Sequence, residues 1–104
     1  MTENDFTAKK AKAIYKIKQL LEDKDLVEFK IGKTDNPEER EKAHKVEGYT
    51  KLISLVQLNS IENMDRMEKE LISFFKHNPK CGNKNDGGGG NFSDDNYCVY
   101  VITK

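Results

Sequence analysis

The sequence predicts an α+β fold: a small three-stranded, mainly antiparallel sheet plus a C-terminal strand, flanked by helices. Three observations carry that prediction. Residues 26–33 and 97–103 (YCVYVIT) are short runs rich in β-branched and aromatic residues, which suit a pleated, half-buried surface. Asn36 and Asn59 each precede a glutamate by three positions, the pattern that satisfies the first amides of a helix. Between the second of these helices and the last strand lies CGNKNDGGGGN, whose four consecutive glycines suit neither helix nor strand.

Taken in order, residues 1–7 are polar and expected to be disordered. Residues 8–22 admit two readings. Ala11, Ile14, Tyr15 and Leu21 could line one face of a helix, or Tyr15 and Ile17 could alternate with Ile14, Lys16 and Lys18 in a strand. In 26–33 Val27, Phe29 and Ile31 fall at alternate positions, which predicts a strand. Asn36 then caps a helix, Pro37 fits its first position, Glu39 closes a capping box, and Gly48 supplies the left-handed stop. LISLVQL, residues 52–58, is almost continuously apolar and predicts a strand buried on both faces. The helix opened by Asn59 carries Ile61, Met64, Met67, Leu71 and Phe75 at spacings of three and four, one apolar stripe. Residues 78–92 are expected to form a flexible glycine-rich loop before the final strand, within a single domain spanning 1–104.

Composition narrows the function. The 18 basic and 18 acidic residues cancel, which argues against binding nucleic acid over the whole surface and leaves room for a local basic patch, such as the five lysines of residues 9–18. Cys81 and Cys98 lack a C-x-x-C spacing, and a zinc site would have to recruit His44 and His77 from distant positions. Two isolated thiols without a leader, and no apolar run of spanning length, suit a cytoplasmic protein, in the host cytoplasm if a phage or virus encodes it.

FKIGKTDNPEER, residues 29–40, contains the Gly-Lys-Thr that ends a phosphate-cradling P-loop. That motif requires a glycine five positions earlier, so that successive backbone amides point at phosphate. Val27 stands there, and Glu28 to Ile31 read as strand. The stretch is therefore a strand end delivering a helix start. Arg40 and His44, four apart, share one face of that helix. Arginine's planar fork suits phosphate, and its charge is permanent.

The order of elements around these residues resembles the GIY-YIG nuclease family, and the KIGKT variant resembles its small phage and viral branch. The resemblance runs from about residue 13 to residue 92. It places the first family tripeptide on Ala13-Ile14-Tyr15 and the second on Lys30-Ile31-Gly32, with alanine in place of the first glycine and lysine in place of the second tyrosine. Arg40 lies eight residues after Gly32 and His44 four later, as in family members. Glu68-Lys69-Glu70-Leu71-Ile72 matches the E-x-x-L-I setting of the family's metal-binding glutamate, and Asn91 is the candidate for its late asparagine.

The resemblance implies a metal-dependent endonuclease acting on nucleic acid, DNA first. Tyr15, Lys30, Arg40 and His44 would be catalytic, Glu68 would hold Mg²⁺ or Mn²⁺, and Gly32, Lys33 and Asn91 would contact substrate. Elementary chemistry is compatible with this. Glu68 borders the apolar stripe, where a carboxylate is costly unless paired or metal-bound. Mg²⁺ commonly takes only one or two protein carboxylates and keeps its waters. Either Tyr15 or His44 could be the base, the phenol needing its pKa lowered from about 10. The competing reading is a module of the same fold with weak or absent cleavage, which binds nucleic acid or a protein partner, or assembles with its own copies. Zero net charge favours that alternative.

Overall fold

A computed structural model describes residues 1–84 and 96–104. Its elements run α1 (Glu3–Leu20), β1 (Phe29–Thr34), α2 (Pro37–Val46), β2 (Lys51–Leu58), α3 (Ile61–Phe75) and β3 (Tyr97–Thr103). The sheet order is β1-β3-β2, and both outer strands run antiparallel to β3. The α+β architecture predicted from sequence is the one formed, with the C-terminal strand at its centre.

Alternation along β1 and β3 divides the sheet into two faces. Phe29, Ile31, Val99 and Val101 join Phe6, Ala13 and Ile17 of α1 and Met64, Met67, Leu71, Ile72 and Phe75 of α3 in the larger core. Cys98, Tyr100 and Ile102 point the other way and pack with Tyr49 and Leu52 in a smaller cluster. There α2 lies against β2 and β3.

Residues 8–20 belong to a helix that ends before Leu21 and Glu22, and it starts earlier than the polar composition suggests. The Thr2 side chain accepts from the Asp5 amide at 3.1 Å, and the Asp5 carboxylate accepts from the Thr2 amide at 3.3 Å, completing a capping box. Phe6 is buried, with the Arg66 guanidinium 4.0 Å above its ring. Residues 3–7 are therefore structured, because one aromatic among polar neighbours anchors the first turn. Phe6, Ala13 and Ile17 form the inward stripe, and Tyr15 faces outward.

β2 is an edge strand, contrary to the expectation of burial on both faces. Its apolar run has another cause. A bulge between Ser54 and Val56 inserts Leu55, so the alternation slips and Ile53, Leu55, Val56 and Leu58 all meet the larger core. Burial on both faces belongs to β3, buried at every position after Tyr97. The exposed edge of β2 is covered by lysines of α1: Lys16 Nζ donates to the Leu55 carbonyl at 3.1 Å and Lys9 Nζ to that of Gln57 at 3.0 Å.

The helix starts fall close to their predicted positions. Asn36 accepts from the Glu39 amide at 3.3 Å, with Pro37 opening α2. For α3 the cap is Ser60, one residue later than expected, accepting from the Asn63 amide at 3.1 Å. Gly48, at φ +99°, stops α2. Of the expected flexible loop, residues 78–84 are pinned to the outer edge of β1. Gly82 N donates to the Phe29 carbonyl at 2.8 Å, and the Asn83 side chain bonds both the amide and the carbonyl of Ile31 at 2.8 Å. The remainder, with the four glycines, lies outside the described residues.

Candidate functional site

The strand end at Lys30 to Thr34 organises what the sequence singled out. Successive side chains point to opposite faces, so Lys30, Gly32 and Thr34 look toward α2 while Lys33 follows Phe29 and Ile31 toward α3.

Gly32 pairs with Tyr100 of β3. A Cβ at residue 32 would overlap the Tyr100 hydroxyl and ring, so the glycine admits a tyrosine laid across the strand. The Tyr100 hydroxyl stands 2.9 Å from His44 Nε2, and His44 Nδ1 stands 2.8 Å from Glu47 Oε1. A carboxylate only accepts, so Nδ1 carries a proton; in the neutral ring Nε2 then accepts from the phenol. Burial pushes the Tyr100 pKa up to about 12. The nearby Arg40 guanidinium opposes that rise, and the Glu68, Cys98 and Glu47 charges add to it. At neutral pH the phenol keeps its proton and lies within the fields of both Arg40 and Glu68.

Arg40 is held by the capped first turn of α2, its amide donating to the Asn36 carbonyl at 3.1 Å. Its side chain is exposed and borders a hollow of about 230 Å³ with Thr34, Asp35, Asn36, Glu39 and Ala43, so two acidic residues share the lining. An exposed guanidinium at the mouth of a hollow is accessible to a phosphate.

On the other face, Lys33 extends into the α3 side. Its ammonium pairs with Asp65 and stands 3.4 Å from Glu68 Oε1. Only 5% of the Lys33 side chain and 9% of the Glu68 side chain are exposed, so this is a buried ion cluster and not the outward lysine a substrate contact would need. Asp65 and Glu68 are one helical turn apart and converge on a single cation. Among the described residues no three histidine, cysteine, aspartate or glutamate side chains converge, so a divalent ion here would keep most of its waters.

Lys30 is half-buried and lines a second hollow, about 440 Å³, with Glu28, Tyr49, Asn83, Lys84 and Lys104. Tyr49 donates to Glu28 there, and burial followed by that bond raises its pKa.

Tyr15 is not brought to this place. It is 63% exposed on α1, and its hydroxyl accepts from Gln19 Nε2 at 3.2 Å. α1 packs against β2 and α3, across the sheet from α2. The Ala13-Ile14-Tyr15 tripeptide is helical, whereas the strand paired with Lys30-Ile31-Gly32 is the one carrying Cys98-Val99-Tyr100. Tyr100 was legible only as a strand residue; the clue was a tyrosine on a strand able to pair with x-I-G. Asn91 lies outside the described residues, while Asn83, seen from sequence only as part of the loop, closes the edge of β1.

The family model of the T5orf172 domain matches residues 12–97, most of the chain. The chain belongs to that family, a domain of phage and bacterial nuclease-like proteins often linked to GIY-YIG and HNH endonucleases. The match includes Tyr15 and stops short of Tyr100. No curated protein and no solved structure gives a significant match. No helix among the described residues is long and apolar enough to cross a membrane.

Proposed function

We propose that this T5orf172-domain protein is a GIY-YIG-type, metal-dependent endonuclease that hydrolyses phosphodiester bonds, with DNA as the first substrate to test. The observation that carries the reading is the placement of the His44–Tyr100 pair within the fields of Arg40 and Glu68 at the Gly32 end of β1.

Arg40 binds the scissile phosphate and balances the charge that builds on it, an effect worth roughly 10²–10³ in rate. Water attacks phosphorus and gives its proton to the Tyr100 oxygen as the Tyr100 proton passes to His44 Nε2. Glu47 holds the imidazole in the required tautomer through Nδ1. The P–O3′ bond breaks, and the departing oxygen is protonated from solvent. A divalent cation, when bound at Glu68, supplies Lewis-acid stabilisation of that oxygen. The donor set fits such an ion, since two carboxylates already surround a cation. Lys30, on the same face of β1 as Gly32, meets the neighbouring phosphate.

Cleavage of supercoiled plasmid with Mg²⁺ or Mn²⁺ tests this. Nicking is expected from the parent and none from Arg40→Ala or Glu68→Gln. The second reading is a nucleic-acid-binding module with little cleavage, favoured by the ion pair Lys33 makes with Glu68. Equal absence of nicking in all three proteins, with retained DNA binding, would select it.

A further inference from the structure

The Lys33 cluster carries one step more, resting on the metal-dependent reading above. A lysine turned inward at a strand end is costly unless compensated. Here the ammonium is compensated by two carboxylates of α3, Asp65 and Glu68, spaced so that one small cation touches both. The same two oxygen donors, supplemented by water, are what Mg²⁺ or Mn²⁺ selects.

We propose that the Lys33 ammonium is a resident stand-in for the divalent cation. It occupies the position the metal takes, Asp65 is a second metal ligand beside Glu68, and metal binding displaces the ammonium. The cluster would then keep the buried Glu68 and the half-buried Asp65 charge-compensated while the site waits for its ion. Metal affinity in the parent is set by competition with Lys33.

The test is Mn²⁺ binding by calorimetry with thermal melts, and needs no cleavage. Lys33→Met keeps most of the unbranched side chain and removes the charge. It is expected to lower the melting temperature of the ion-free protein, to bind Mn²⁺ roughly tenfold more tightly, and to gain more stability from Mn²⁺ than the parent does. Asp65→Asn and Glu68→Gln are each expected to weaken Mn²⁺ binding roughly 10- to 100-fold, and Glu62→Gln, exposed in the first turn of α3, to leave it unchanged. Should Lys33→Met fail to fold, the ¹⁵N signal of the Lys33 ammonium in the parent gives the same answer. It is expected to shift or broaden as Mg²⁺ saturates the protein. Equal Mn²⁺ affinity in Lys33→Met and parent, an ammonium signal indifferent to Mg²⁺, or no binding in any variant would overturn the proposal. Cleavage without exchange would defeat only this inference, and exchange without cleavage only the nuclease reading.

Discussion

Tyr100 owes its position to a residue that contributes no side chain. Replacing Gly32 by alanine would drive a methyl into the Tyr100 ring, which His44 holds by its hydroxyl. Gly32→Ala is expected to cost about 1–3 kcal/mol in urea denaturation and to break the His44–Tyr100 bond, visible as a shift in the His44 ring resonances. Tyr100 also sets an alkaline limit on stability. Its pKa is raised in the folded protein to about 12, chiefly by burial, from the ordinary tyrosine value of about 10. The stabilisation tied to its protonated form is complete below the unfolded value and lost as pH climbs through the folded one. Denaturation midpoints should therefore fall between pH 10 and 12 in the parent, and less steeply in Tyr100→Phe; equal slopes would contradict the assignment. Residue types and spacings on α2 and α3 were readable because helical neighbours are close in sequence: Arg40 with His44, and Glu68 on its apolar stripe. Tyr100 was not, since 68 positions separate it from Gly32 and only strand pairing joins them.

At the scale of elements, the helices differ in how they are secured. α3 buries six residues, whereas α2 buries none and depends on its Asn36 cap, the His44–Tyr100 bond and the Glu41 carboxylate accepting from the Leu52 amide at 3.0 Å. Amides of α2 are thus expected to exchange with deuterium faster than those of α3 and β3, and His44→Ala to accelerate α2 selectively. Comparable protection in α2 and α3 would contradict this. The edges of the sheet rely on side chains as well. Asn83→Ala leaves the Ile31 amide without its partner and is expected to destabilise by about 1–3 kcal/mol. Caps, the Gly48 stop and the α3 stripe were legible because each is a local signal. The depth of β2 was misread because a bulge and burial on both faces produce the same apolar run, and only the partner strand distinguishes them.

At the scale of the molecule, the sheet keeps two chemistries apart and lets them meet at one strand end. Arg40 and the Tyr100–His44 pair lie on the α2 face, and the Asp65 and Glu68 carboxylates lie on the α3 face. The charges at Arg40 and Glu68 both act on the Tyr100 hydroxyl. The charges of the chain cancel overall, so attraction for an anion has to be local, as at Arg40. This arrangement makes Tyr100, and not the exposed Tyr15, the phenol of the proposed reaction. The most direct measurement is the rate of plasmid nicking in Mg²⁺ or Mn²⁺ by the parent, Tyr100→Phe and Tyr15→Phe. Loss of roughly 10²-fold or more in Tyr100→Phe, with Tyr15→Phe at the parental rate, is the predicted result. Full activity in Tyr100→Phe together with loss in Tyr15→Phe would contradict it.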